Sequence, residues 1–188
     1  MSVGSHYESL QTGIMSECGR KHYQEIFLGE KTAKIGVMVW ACINSDGELL
    51  YHIFKESVKA DSYHDMLQSK FSLMNMKKYW FMQDGAGPHY ANKVKNMLNK
   101  KYPRRWIGKG SYFQTWQPRS PELTPCDFFL WGYLKHRIAL RRPSSKNELI
   151  ETVKKEFEAI PRERIALACR SVTSRMEKCL DVEGSQVR

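Results

Sequence analysis

The sequence lacks several features that define whole classes of protein. Its five cysteines are scattered and include no Cys-x-x-Cys pair, which argues against a disulfide scaffold and a zinc site and favours a reducing compartment. No charged-then-apolar signal pattern occurs at the N-terminus, and the longest nearly apolar run, Ile35 to Ile43, is too short to cross a membrane. Gly-rich phosphate loops, nucleophile elbows and paired metal-binding histidines are also missing. We therefore expect a soluble intracellular protein that does not contact membranes.

Acidic residues are scarce in one central stretch. The formal net charge is +10 at pH 7, and no Asp or Glu occurs between Asp84 and Glu122. This distribution favours a polyanionic partner, most commonly nucleic acid, although charge alone is equally compatible with a basic protein that has no specific partner. Interleaved aromatic residues offer stacking surfaces for bases, while Tyr90 and Trp116 fit core packing better. The basic residues predicted to contact nucleic acid are Lys93, Lys95, Lys100, Lys101, Arg104, Arg105, Lys109 and Arg119.

The spacing of apolar residues predicts an α/β domain with a helical C-terminal layer. Two β-rich runs around an Asp-Gly turn indicate a hairpin, and Ser145 with Glu148 indicates a capping box at a helix start. Residues 1–33 show no clear period, so we predict a poorly defined segment over 1–33 and a domain over 34–188. The predicted elements are a hairpin over 37–54, a helix from 61 or 62, a strand over 79–82, a helix over 89–101, a short strand near 113–116, and three helices that begin near 124, 145 and 161.

Two carboxylates lie at the ends of predicted elements. Asp84 follows an apolar strand, where open α/β sheets place ligand-binding groups, and Asp127 lies in the first turn of a helix. Hard cations such as Mg²⁺ take oxygen ligands of this kind. Asp84 is equally typical of an Asp-Gly turn, and Asp127 lies three residues after Thr124, where it suits a capping role. We interpret His89 and His136 as structural or DNA-facing residues.

Several ordered sequence motifs resemble those of mariner-like DNA transposases. The run Gln-Asp-Gly-Ala-Gly-Pro-His over 83–89 resembles their second-aspartate motif, and residues 116–132, which include Pro-Glu-Leu-Thr-Pro-Cys-Asp, resemble their third-carboxylate motif. The Val-Met-Val-Trp-Ala run over 37–41 is similar to their hairpin strand. The likeness extends over about residues 35–184, and the 43 positions from Asp84 to Asp127 suit a branch whose third acid is aspartate.

This resemblance implies an RNase H-like mixed sheet flanked by helices, with two-metal phosphodiester cleavage and strand transfer at transposon ends. Asp84 and Asp127 would be catalytic residues and ligands of Mg²⁺, for which Mn²⁺ would substitute. The basic span between them would contact the backbone of transposon-end and target DNA. The resemblance also implies a homodimer and a nuclear location.

The family pattern is incomplete on the N-terminal side. The first aspartate and its strand, which is central in such sheets, have no counterpart in the sequence, and the end-reading helix-turn-helix module is absent. Glu17 lies only 20 residues before Val37, which is too close for it to take the aspartate's role, and no other acid before Val37 lies in a strand-like run. Gly87 also replaces a larger residue of the family, which we expect to loosen the turn at Asp84. The sequence therefore leaves two classes open: a metal-dependent DNA strand transferase, or a non-catalytic remnant or co-opted module that binds nucleic acid.

Overall fold

A five-stranded mixed sheet organises the protein. The computed structural model describes residues 18–28, 35–73, 78–113 and 121–181. The strands are β1 (Cys18–Leu28), β2 (Ile35–Ile43), β3 (Leu49–Phe54), β4 (Trp80–Gln83) and β5 (Trp106–Ile107), in the order β3-β2-β1-β4-β5. β1 pairs antiparallel with β2 and parallel with β4, and β5 continues the sheet in parallel beyond β4. The predicted mixed sheet is thus confirmed.

The central strand expected to be missing is present. β1 runs over Cys18–Leu28 and lies between β2 and β4, so both of its edges are paired. The expectation of a sheet without this strand is therefore wrong. A further correction concerns Glu25, which lies in β1 level with Met38, although no acid before Val37 was expected in a strand. The other early acids, Glu8, Glu17 and Glu30, lie outside the described residues.

One face of the sheet is covered by two helices, α1 (Ala60–Phe71) and α2 (Asn92–Lys101). Trp40 from β2 and Phe81 from β4 are buried there among apolar residues of both helices, which include Leu67 and Leu98. The predicted helix over 89–101 begins later than expected, at Asn92, because Gly87–Tyr90 forms a separate 3₁₀ turn. This turn fixes the chain that follows β4.

The other face carries the helical C-terminal layer. After a 3₁₀ turn at Pro121–Leu123, a π-helix over Cys126–Trp131 leads directly into α3 (Gly132–Arg141). α4 (Lys146–Glu158), α5 (Arg162–Arg170) and α6 (Val172–Asp181) complete the layer. The four alternate residues of β2 that point to this face, Val37, Val39, Ala41 and Ile43, are buried against it. The two faces of β2 therefore anchor two different sets of helices.

Polar contacts fix the ends of the C-terminal helices. Ser145 Oγ accepts the Glu148 amide at 3.2 Å, as predicted, while the Glu148 carboxylate accepts the amide of Ser144 rather than that of Ser145. Buried Glu156 accepts hydrogen bonds from Arg137 Nε at 2.8 Å and Arg141 Nε at 2.9 Å, which ties α4 to α3. The bond from Arg137 is the main cause that lowers the pKa of Glu156 below its ordinary value.

Two predicted elements differ in the structure. The helix predicted from residue 161 is divided into α5 and α6 at Ser171, and β5 at Trp106–Ile107 was not anticipated. The short strand predicted near 113–116 falls almost wholly on 114–120, outside the described residues. Cys42, Cys126, Cys169 and Cys179 are buried. Within the described ranges, no helix is long and apolar enough to cross a membrane.

Candidate catalytic site

Asp84 is held at the end of β4 by a turn with its own polar contacts. The Ala86 amide donates to Asp84 Oδ1 at 3.2 Å, and the ring nitrogen Nδ1 of His89 contacts the same oxygen. The carboxylate side chain is 32% exposed, whereas the His89 side chain is almost wholly buried at 1%. Asp84 therefore combines a fixed orientation with access to solvent.

A buried network beneath this turn explains why His89 stays in place. The Tyr63 hydroxyl of α1 donates to Gln83 Oε1 at 3.1 Å, and Gln83 Nε2 donates to the His89 carbonyl at 2.9 Å. The Tyr63 ring also stacks on the His89 imidazole, with centroids 4.5 Å apart. His89 therefore has a structural role, which is one of the two roles that the sequence suggested for it. Sequence reasoning missed Tyr63 and Gln83, because nothing in the local pattern around residue 63 indicates a contact 20 residues away.

Asp127 is positioned in a different way, by a π-helix. It is the second residue of Cys126–Trp131, and its amide donates to the Thr124 carbonyl at 2.8 Å. A π turn accommodates one extra residue per turn, and such turns occur often at functional sites. Cys126, Leu130 and Trp131 are buried from this segment, while Asp127 is half-buried. The buried residues anchor the π-helix in the core, while Asp127 remains partly accessible to solvent.

The two segments converge on one face of the sheet. Met82, two residues before Asp84, belongs to the same apolar cluster as Leu123 and Phe128, which flank Asp127 in the chain. The π-helix itself contacts β1 and β2. Met82 is therefore packed together with residues that lie next to Asp127 in the chain.

The register of β1 shows which residues accompany Asp84 along the sheet. Arg20 pairs with Met82 and Lys21 with Gln83, where β4 ends; continued by one residue, this register would place His22 level with Asp84. Glu25 lies three residues beyond His22, which at the usual rise of a strand is about 10 Å further along β1. Basic and neutral residues thus occupy the positions of β1 beside the end of β4.

Asp84 and Asp127 are the two carboxylates that the sequence motifs offer to a divalent cation. Two carboxylates together with substrate phosphates are a common arrangement for a single Mg²⁺ ion, whereas the two-ion mechanism implied by the resemblance uses three carboxylates. Asp84 Oδ1 is already engaged by Ala86 and His89. Among the residues that the structure describes, no three His, Cys, Asp or Glu side chains are close enough to hold a metal ion.

Gly87 begins the 3₁₀ turn after Asp84, where a larger residue was expected from the resemblance. A Cβ atom built at Gly87 meets no atom within 4 Å, so the turn has room for a side chain. The absence of a side chain at Gly87 therefore removes no packing contact, and the expected loosening of the turn stays a prediction.

The predicted nucleic-acid contacts fall into three groups. Lys93 forms an ion pair with Asp61, so part of its charge is already compensated. Arg119 lies outside the described residues. The six others surround the end of α2 and the loop after it, and four of them are exposed while Lys95 and Arg105 are half-buried. The exposed four are Lys100, Lys101, Arg104 and Lys109.

Comparison with known proteins supports the fold. No protein-family model matches the sequence, and no curated protein matches it. Among solved structures, the catalytic domain of Mos1 mariner transposase is 19% identical with a TM-score of 0.77, over 98% of this chain and 90% of that one. The same domain with Raltegravir and Mg is also 19% identical to this chain, with a TM-score of 0.77. That match covers 97% of this chain and 90% of the other.

A longer chain of the same transposase also matches. In the Mos1 paired-end complex with the left transposon end, the identity is 19% and the TM-score is 0.78, over 98% of this chain. This chain spans 60% of the length of that transposase. The resemblance found in the sequence motifs is therefore confirmed at the level of the fold, and the chain has the fold of the Mos1 mariner transposase catalytic domain.

Proposed function

We propose that this chain is a mariner-like transposase catalytic domain that binds DNA through its basic surface and does not cleave DNA by itself. The register of β1 carries the proposal, since its continuation by one residue beyond the Lys21–Gln83 pair would place His22, rather than a carboxylate, level with Asp84. Asp84 and Asp127 lie in the motifs that resemble the family's second and third acidic positions, which supports descent from an active nuclease. The nucleus, where chromosomal DNA lies, is the proposed location, and a homodimer stays a prediction that light scattering would check.

The charge beside the carboxylates supports binding without cleavage. Arg20 and Lys21 precede His22 in β1, at the levels of Met82 and Gln83. Basic residues in this part of the sequence add to a positive potential, which favours phosphate binding over recruitment of a divalent metal ion. Two carboxylates without the third do not hold the pair of ions that an in-line displacement requires.

Salt dependence of DNA binding tests the first half of the proposal. If the four exposed residues Lys100, Lys101, Arg104 and Lys109 each neutralise one phosphate, log Kobs should fall with log salt with a slope of about −4. Lys100→Ala combined with Lys101→Ala should reduce the slope by about two. Lys146→Ala, in the first turn of α4, is the control. Binding without salt dependence would contradict a phosphate-binding surface.

Nicking of supercoiled plasmid tests the second half. The folded chain with Mg²⁺ or Mn²⁺ should leave the plasmid intact while it binds DNA. Metal-dependent nicking that disappears in both Asp84→Ala and Asp127→Ala would show that the site is complete and that this half of the proposal is wrong. Glu25→Gln would then reveal whether the acid of β1 supplies the third ligand.

A gain of activity provides the sharper test. His22→Asp restores a carboxylate level with Asp84, and we expect metal-dependent nicking that is lost again when Asp84 or Asp127 is replaced by alanine. Lys21→Asp is the matched control, because adjacent strand positions alternate between the two faces of a sheet. If folded His22→Asp remains inactive, or if Lys21→Asp gains the same activity, the position of the missing carboxylate is assigned wrongly.

A further inference from the structure

The loop after β5 presents an aromatic side chain to solvent. Tyr112 is 80% exposed, in a stretch of the chain without acidic residues. A single exposed aromatic residue is common on protein surfaces. Its significance therefore depends on how the loop is held and on what surrounds it.

Side-chain hydrogen bonds fix the conformation of this loop. Asn99 of α2 donates to the Gly110 carbonyl at 3.2 Å and accepts the Tyr112 amide at 3.3 Å. Ser111 Oγ donates to the Trp106 carbonyl at 2.7 Å. Gly110 has a φ of +90°, a conformation that glycine adopts without strain. Tyr112 is thus held out from a loop whose backbone is already ordered, which lowers the entropic cost of binding through its ring.

The loop lies beside the segment that carries Asp84. A Cβ atom built at Gly108 would be 3.1 Å from the Gln83 carbonyl oxygen, so glycine allows the loop to approach the end of β4 closely. Lys109 Nζ lies 4.1 Å from the ring centroid of Tyr90, the residue after His89. Tyr90 is 37% exposed, so the expectation that it packs in the core is wrong. Lys109 and Tyr90 thus contact each other next to the Asp84 turn, and Tyr112 follows Lys109 by three residues in the same loop. We call these three residues the stacking surface.

We propose that the stacking surface binds an unpaired DNA base, with the base stacked on Tyr112 and the adjoining phosphates near Lys109 and Lys95. This inference rests on the proposed function and specifies the form of DNA that the site binds. Aromatic rings and cations on a fixed basic surface are the usual combination for single-stranded nucleic acid. Bases within a continuous duplex are covered by their neighbours, so the ring of Tyr112 engages only a base that is unpaired or at a strand end.

The experiment measures the affinity of the full chain for two probes. The first is fluorescent poly(dT) of about 12 nucleotides, within the usual range of single-strand site sizes. The second is a closed circular duplex plasmid, used as a competitor. Tyr112→Ala should weaken poly(dT) binding by about tenfold, since stacking on one base contributes on that order. The same variant should leave competition by the duplex within about twofold.

Two controls distinguish stacking from a general effect on the loop. Tyr112→Phe keeps the ring and should bind poly(dT) like the unmodified chain. An oligonucleotide with abasic sites in place of the bases should bind the unmodified chain and Tyr112→Ala equally, because no base remains to stack.

The possible failures are separable. Unchanged poly(dT) binding by Tyr112→Ala, or an equal loss for the duplex, would overturn the stacking site and leave DNA binding intact. A persistent tenfold difference with the abasic oligonucleotide would also overturn it. If the unmodified chain bound neither probe, the proposed function itself would fail.

Discussion

The two segments that carry the acidic residues of the candidate site are held by different forces. The Asp84 turn depends on a polar network, in which Tyr63, Gln83 and His89 contact one another beneath the carboxylate. The Asp127 segment depends on apolar burial, with Cys126 and Leu130 wholly buried in the π-helix. Hydrogen bonds are directional, while apolar contacts are not, so the first segment fixes an orientation and the second fixes a position. The two should therefore respond differently to substitution.

The largest effect is expected where apolar burial is removed. Leu130→Ala leaves a cavity among the residues that bury the π-helix, and we expect the free energy of unfolding to fall by about 2–5 kcal/mol. Urea denaturation followed by circular dichroism measures this change.

Leu140→Ala supplies the matched control for Leu130→Ala. Leu140 is 63% exposed near the end of α3, and its loss should change the free energy of unfolding by less than about 0.5 kcal/mol. Equal effects at the two leucines would contradict the assignment of Leu130 to the core.

A smaller effect is expected in the polar network. Tyr63→Phe removes the hydroxyl that donates to Gln83 Oε1 and leaves a buried acceptor unpaired, which should cost about 1–3 kcal/mol in the same denaturation experiment. Tyr112→Phe removes an exposed hydroxyl and should have almost no effect. A neutral Tyr63→Phe would mean that the network does not stabilise the Asp84 turn.

The smallest effect should be stabilising. Gly87→Ala places a methyl group in open space and restricts the unfolded chain, so the free energy of unfolding should rise by about 0.4–1 kcal/mol. Gly108→Ala is the contrasting variant, because its Cβ would lie 2.9 Å from the Trp106 ring. We expect it to be destabilising. Stabilisation by both substitutions would contradict the close approach of the loop to the end of β4.

Turn and capping residues predicted much of the fold, whereas the pairing of strands distant in the sequence was not predicted. The hairpin of β2 and β3 and the cap at Ser145 follow from turn and capping residues near them in the sequence. β1 escaped notice because its first half, Cys-Gly-Arg-Lys-His, is polar, and central strands are usually recognised by continuous apolar runs. It becomes a strand through pairing with β2 and β4, which a search for apolar periodicity does not detect.

The site was likewise predicted only in part. The strand end and the helix start near Asp84 and Asp127 were recognisable, and the resemblance related the two motifs. The π-helix could not be recognised from the sequence, because a single π turn has too few apolar positions to reveal its added residue. The split between α5 and α6 was missed since Ile165, Ala168, Val172 and Met176 keep a helical spacing across Ser171.

The central position of β1 also determines when the sheet can be completed during synthesis. During synthesis, β1, β2 and β3 are complete once Phe54 has been added, but the second edge of β1 remains unpaired until β4 ends at Gln83. At the usual rate of about 5–20 residues per second, this interval lasts roughly 1–6 seconds. An unpaired strand edge is a template for association with other chains. The nascent protein should therefore be most prone to aggregate, and most dependent on chaperones, between the completion of its hairpin and the arrival of the strand that carries the chain to Asp84.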